Sequence, residues 1–239
     1  MSNPARQDGS PSETTFDGVV VTFARREESG ALIRKLSAVR RCKWGKLAVA
    51  IGTLDVHSVA VVHTGIGPVA AKAAAQTILE HARPHLWIGA GFAGALDPSL
   101  QVGDVVSQGD FEHDTKSKKP GIISHALPVE TANAKAILFP KTEASAVDME
   151  TTTLAAAAKA AGIHFQAIRA ISDIATDDLP VPFKKWFDPV RQRAKPITLA
   201  TYLIKNPRRI PHFYRFVANL PKVAEALALS IEATILKEF

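Results

Sequence analysis

A three-layer α/β fold, with helices on both faces of a central mixed, mostly parallel sheet, is predicted by three observations. Short apolar runs rich in β-branched residues alternate with longer alanine-rich runs of helical length. Polar turns and glycines separate them. The chain has 239 residues, 46% hydrophobic and 22% charged, which fits one domain with a sizeable core.

Residues 1–16 are mostly polar, with Pro4, Pro11 and Ser/Thr clusters, and are expected as a disordered tail. Val19–Phe23 reads as a buried strand, and 28–36 as an amphipathic helix. Strands follow around 47–51 and 59–63. An alanine-rich helix over 69–81 is entered through Gly67-Pro68, with proline at the first helical position. Residues 85–89 read as strand, and the glycine-rich stretch behind them as a turn that permits close backbone approach. Helix is expected over 151–161, with Gly162 as its cap, and a short buried strand over 163–168. Residues 17–178 make up this core. Residues 179–239 form a basic, apolar, helical extension of the same domain, in which Leu220, Val223, Leu227, Ile231 and Ile235 repeat at helical spacing.

Composition excludes several classes. One cysteine, Cys42, rules out a disulfide framework and argues against a structural zinc site. No apolar run reaches the roughly 20 residues that span a bilayer. The polar start has no signal-peptide core, so a cytoplasmic protein is expected. The dinucleotide fingerprint, the Walker loop, HExxH and the nucleophile elbow are all missing, and no cofactor is implied. His113-Asp114 lacks a third ligand nearby and reads as a loop pair, so no metal is expected. Net charge is +6, and much of the excess lies between Lys184 and Arg215. Such a segment attracts phosphates, nucleic acid or anionic lipid, or is merely a solvated surface. No nucleic-acid recognition motif accompanies it.

Two acids stand out. Glu150 precedes the helix over 151–161, and Asp173 ends Arg169-Ala170-Ile171-Ser172-Asp173 after the next strand. An αβ unit therefore carries both carboxylates towards one edge of the sheet, where substrates tend to be gripped. Either acid alone is explained by a helix cap or a turn. Both together, with Arg169 and Ser172 beside the second, point to a site.

These residues resemble the nucleoside phosphorylase and nucleosidase superfamily, especially the methylthioadenosine/S-adenosylhomocysteine nucleosidases. The shared form is an acidic-Met-Glu triplet (Asp148-Met149-Glu150), a helix, then Arg-Ala-Ile-Ser-Asp. Thr64-Gly65-Ile66-Gly67-Pro68 and the stretch from Gly89 to Leu96, followed by Val102-Gly103-Asp104, agree in order and spacing. The resemblance spans about 18–178.

It implies a phosphorylase/hydrolase-like fold, a nucleoside substrate and a homo-oligomer. It also implies roles. Asp173 donates a proton to the purine N7, positioned by Ser172, and needs burial or a neighbouring acid to hold that proton near neutrality. Glu150 accepts from the ribose hydroxyls, with Asp148 beside it, and Met149 packs on the sugar. Glu28 activates the attacking water, and Arg169 orients that water and steadies neighbouring acids. Gly91 and Phe92 belong to the central glycine stretch at the substrate. Taken alone, Met149 is equally well a core residue, and Glu28 a first-turn acid favoured by the helix dipole. The stretch 88–96 has no basic residue for a phosphate, which favours water as nucleophile, although Arg25 or Arg26 leaves a phosphorylase open.

The chain departs from that family's pattern in three places. The stretch 114–121 is much shorter than the hairpin and helix that cover the 5′ side of the nucleoside. Ser124-His125-Ala126-Leu127-Pro128 lacks the usual aromatic stacker for the base, and Phe92 replaces a small hydroxyl residue. With the basic, proline-broken extension, these features resemble the hopanoid-associated branch, whose members release adenine from adenosylhopane. They fit an open 5′ side and a large 5′ group. Basic and aromatic residues mixed in 208–216 suggest peripheral attachment at the inner membrane face, or else packing over the core or a second subunit. A catalytically weak nucleoside-binding or membrane-docking protein is the alternative from another class.

Overall fold

The computed structural model describes residues 15–109 and 121–237. A nine-stranded sheet runs in the order β2 (Ser37–Trp44), β3 (Leu47–Leu54), β4 (His57–His63), β1 (Val19–Phe23), β5 (Leu86–Ala95), β8 (Ala146–Asp148), β7 (Ile122–Ser124). It branches at β5, which also pairs with β9 (His164–Asp173), and β9 in turn with β6 (Val105–Gly109). Pairings β1–β4, β1–β5, β5–β9 and β7–β8 are parallel. Pairings β2–β3, β3–β4, β5–β8 and β6–β9 are antiparallel, so the sheet is mixed, with neither kind in the majority among the described residues.

Side-chain alternation along β1 divides the core in two. Val19, Val21 and Phe23 pack with α1 (Arg26–Lys35) and the C-terminal half of α7 (Ile210–Lys237) on one face. Val20 faces the other way, into a layer formed by α2 (Pro68–His81) and α4 (Thr151–Ala160). This is the expected three-layer arrangement. The apolar repeat of α7 is what docks it: Val223, Leu227, Ile231 and Ile235 are all fully buried. Each contributes about 1.5–3 kcal/mol of transfer free energy. The remaining helices are α3 (Ala132–Thr142), the single turn α5 (Phe183–Trp186) and α6 (Pro196–Lys205).

Three differences from expectation have physical reasons. The glycine-rich stretch 89–94 is not a turn but the continuation of β5. Its glycines are there for lateral room: a Cβ on Gly89 would stand 2.6 Å from Phe165 Cζ. Second, β2 has a mostly exposed pattern carrying Arg40, Arg41 and Lys43, as befits an edge strand, and so lacks an apolar run. Third, Phe16, assigned to the tail, bridges to Ala82, its N–H donating to His81 O at 3.0 Å. Residues 1–14 and 110–120 lie outside the described residues. With them fall most of the expected tail, His113-Asp114, and the shortened stretch 114–121 except Gly121.

Candidate active site

The ends of β1, β5, β8 and β9 meet at one cavity of about 450 Å³, within the range of small-molecule sites. Glu28, Phe92, Asp148, Met149, Glu150, Ser172 and Asp173 all line it. Gly91 and Arg169 do not; they lie behind the wall.

Glu28 sits in the first turn of α1. Its Oε2 accepts from the Arg25 N–H at 2.8 Å, which is the helix-capping contact expected of a glutamate there. Its Oε1 accepts from the Phe92 N–H at 3.1 Å, tying α1 to the middle of β5. The capping role and a role in the site therefore coexist, because each carboxylate oxygen keeps a second lone pair for water. Burial pushes the Glu28 carboxyl above its ordinary value, against the pull of the two N–H donors and Arg169. Gly91 has no side chain because a Cβ would approach Glu28 Oε1 to 3.2 Å.

Glu150 follows β8 and precedes α4. Its Oε1 accepts from the Gly67 N–H at 2.6 Å, at the entrance to α2. Gly67 has φ of +91°, a left-handed conformation suited to glycine, and so turns that N–H inward without strain. Burial first, and then the charge of Asp148, push the Glu150 carboxyl up to about 7. Met149 is half-buried beside Ile66 and Phe183, so its core and sugar-platform readings are compatible.

Asp148 and Arg169 form the site's foundation. Arg169 Nε donates to Asp148 Oδ2 at 2.7 Å and Nη2 lies 2.6 Å from the same oxygen. Nη2 also donates to Thr151 Oγ1 at 2.8 Å, and Nη1 to Gly89 O at 2.7 Å. Asp148 further accepts from Ser124 Oγ at 2.5 Å and from the Thr151 N–H at 3.0 Å. Burial raises the Asp148 carboxyl, but the Arg169 charge and the Ser124 and Thr151 donors outweigh it and hold it low. Of the two roles the resemblance implies, Arg169 fits the steadying of a neighbouring acid, Asp148, and does not reach the cavity where a water would be oriented. Its fork is spent on Asp148, Thr151 and β5, because a guanidinium with 2% exposure needs every donor satisfied.

Asp173 brings the largest surprise. Ser172 Oγ donates to its Oδ1 at 2.7 Å, as expected. Instead of a neighbouring acid, Oδ2 meets the ammonium of Lys135 at 2.5 Å. Lys135 is fully buried in the first turn of α3 and also donates to Ile174 O at 2.7 Å and Asp177 O at 3.0 Å. No motif marks this lysine. The one local signal is a cation near a helix N-terminus, where the macrodipole disfavours it. Gly94 leaves the space: a Cβ there would stand 3.0 Å from Asp173 Oδ2.

Arg25, left open as a phosphate ligand, is engaged elsewhere. Its Nε and Nη2 donate to the two oxygens of Glu27 at 3.1 and 2.6 Å, and its guanidinium lies 5.0 Å from the Trp186 ring centroid. Much of the remaining cavity wall is apolar, and a large share of it comes from the extension: Leu179, Val181, Phe183 and Trp186, then Leu199 of α6 and Phe213, Phe216, Val217 and Leu220 of α7. Among the described residues, no cluster of three or more His, Cys, Asp or Glu could hold a metal ion.

Known proteins resemble this chain in sequence and in fold. The chain is 27% identical over 207 residues to a 5′-methylthioadenosine/S-adenosylhomocysteine nucleosidase of Staphylococcus epidermidis, covering 69% of this chain and 90% of that one. The fold matches the corresponding Helicobacter pylori nucleosidase, crystallised in complex with an aminopyrrolopyrimidine compound, at TM-score 0.65 and 18% identity over 95% of this chain and 100% of that one. It also matches the futalosine hydrolase of Helicobacter pylori at TM-score 0.66 and 17% identity, over 94% and 99%. The sequence profile of the phosphorylase superfamily fits residues 19–125 and 122–203. Most of the chain is thereby accounted for, and the protein belongs to the phosphorylase superfamily.

Proposed function

We propose that this protein hydrolyses the N-glycosidic bond of a purine nucleoside, releasing adenine from an adenosine with a bulky apolar 5′ substituent, for which adenosylhopane is the leading candidate. The observation that carries this reading is the composition of the cavity: Glu28, Asp148, Glu150 and Asp173 from strand and helix ends, together with apolar side chains from the extension. The acids suit the two demands of the reaction, a proton for the departing base and stabilisation of positive charge growing on the ribose. Glu28 takes the proton of the attacking water. Glu150 accepts from the ribose hydroxyls, and Met149 packs on the ring. The Lys135 ammonium gives a proton to the Asp173 carboxylate, which delivers it to N7, leaving Asp173 ionised and Lys135 neutral until solvent reprotonates it. Water is favoured over phosphate because Glu27 neutralises Arg25 at the cavity edge.

Purified protein should therefore release adenine from 5′-substituted adenosines, adenosylhopane included, at a rate indifferent to phosphate. No release with or without phosphate removes the hydrolase reading and leaves a binding protein. Release that requires phosphate and yields ribose-1-phosphate establishes a phosphorylase instead.

The apolar wall gives a selectivity prediction. Phe216→Ala should lower kcat/KM for a long apolar 5′ substituent by roughly 10- to 100-fold, since about 1.5–3 kcal/mol of contact is removed. Methylthioadenosine, too short to use the wall fully, should change little. Equal losses on both substrates would mean that Phe216 supports the fold rather than the 5′ group.

Glu150 sets the pH dependence. Its carboxyl, raised to about 7, must be ionised to accept from both ribose hydroxyls. Glu28 is shifted in the same direction and must be ionised to act as base. Lowering pH through about 7 protonates Glu150, so kcat/KM should fall on the acid side and level off above that value. Steady-state rates against pH check this, and a profile flat across neutrality contradicts the assignment of Glu150.

A further inference from the structure

From Asp188 to Lys222 the chain contains no buried residue, yet it is strongly apolar. Val190 is 91% exposed, Ile197 81%, Ile204 76% and Tyr214 75%. Ile197 and Ile204 lie seven apart, on one face of α6. Ile210, 46% exposed, and Tyr214 follow one another at i and i+4 on α7. The other sides of the same helices supply Leu199, Phe213, Phe216 and Val217 to the active-site cavity. α6 and the first half of α7 are therefore the outer wall of the site, and their outward surface is apolar.

The charge on this segment decides what covers it. Between 188 and 222 there are eight Lys or Arg residues against one acid, Asp188. Two copies of this chain joined symmetrically would lay that basic patch against itself. An anionic lipid surface complements it, with apolar side chains entering the headgroup boundary and Lys205, Arg208 and Arg209 contacting phosphate. Among the described residues no helix is long and apolar enough to cross a membrane, so the attachment is peripheral.

We propose that α6 and the N-terminal half of α7 dock this protein on an anionic membrane surface. Docking rests on the surface alone. Its consequence rests on the function proposed above: a substrate with an apolar 5′ group would pass from the bilayer between α6 and α7 to the acids without crossing water.

Sedimentation with lipid vesicles tests the docking separately from the chemistry. The full chain should bind vesicles containing phosphatidylglycerol far better than phosphatidylcholine alone, and added salt should weaken binding. Arg208→Glu combined with Arg209→Glu should reduce vesicle binding by about 30-fold or more, given roughly tenfold per 1.4 kcal/mol and about 1 kcal/mol for each basic residue. Ile197→Asp with Ile204→Asp should do likewise. Both pairs are exposed and outside the cavity lining, so methylthioadenosine turnover should persist if the chain is a nucleosidase, and circular dichroism checks folding in either case. Absence of binding to anionic vesicles overturns the proposal. So does a dimer in light scattering that Ile197→Asp with Ile204→Asp dissociates, because a second copy would then be the cover.

Discussion

Asp173→Asn is expected to lower kcat by about 10²- to 10⁴-fold while leaving the fold intact, the range associated with loss of a positioned general acid. The amide is isosteric with the carboxyl: its one carbonyl oxygen can accept from Lys135 Nζ, while its NH2 donates to Ser172 Oγ, whose own proton turns to Ala93 O. What disappears is the proton. The base would then have to leave as an anion, and the interaction lost is one made only as the bond breaks, so KM should move little. Lys135→Met is the informative companion. If the ammonium refills Asp173, kcat falls to a similar extent, and the double variant is hardly worse than either single one, because the two act as one unit. If Lys135 merely anchors α3 to the end of β9 through Asp173, Ile174 and Asp177, its loss costs stability while kcat holds. Single-turnover adenine release, read beside urea unfolding of each variant, separates these results. Undiminished turnover in Asp173→Asn would remove Asp173 from the chemistry.

Much of this site is legible in the chain because it is built from sequence-local pieces. The unit from Asp148 to Asp173 contains a strand end, a helix and the next strand, and local patterning is sufficient to place Glu150 and Asp173 at the edge of the sheet. What patterning misses is lateral. Gly89, Gly91 and Gly94 look like a turn because glycine is a turn residue, whereas each makes room for a side chain of another element: Phe165, Glu28 and Asp173. That reason exists only after β5, β9 and α1 are assembled. Lys135 is invisible for the same cause, since its partner lies 38 residues away. Arg169 is a different case. An arginine close to Asp173 in sequence suggests chemistry, but its partner is the acid at the far end of the unit, Asp148, and the pair faces inward. The alternation of strands and helices fixes the layers, while the equal share of antiparallel pairings comes from the β2–β4 meander and the branches at β5 and β9, which composition does not encode.

That inward pair sets the largest stability effect. Arg169→Met should destabilise the protein by about 3–5 kcal/mol, the typical cost of removing one partner from a buried ion pair. Asp148 is 6% exposed, and without Arg169 it becomes a charge held away from water with only Ser124 and Thr151 as donors. The isolated methionine packs well in volume but donates nothing to Gly89 O or Thr151 Oγ1. Arg169→Lys keeps the charge and loses the planar fork, and so should recover only part of the loss. The decisive variant couples Arg169→Met with Asp148→Leu. Removing both charges leaves no orphan carboxylate, so the double variant should be more stable than Arg169→Met alone, as urea midpoints would report. The reach of this pair into function runs through α4. Asp148 caps that helix by accepting from the Thr151 N–H, and Glu150 lies between them. Loosening the cap should therefore move Glu150 off the Gly67 N–H and raise KM for nucleoside, even though Arg169 never touches the cavity. A stability loss below about 1 kcal/mol would mean that water or relaxation satisfies Asp148 and that the pair does not hold the site together.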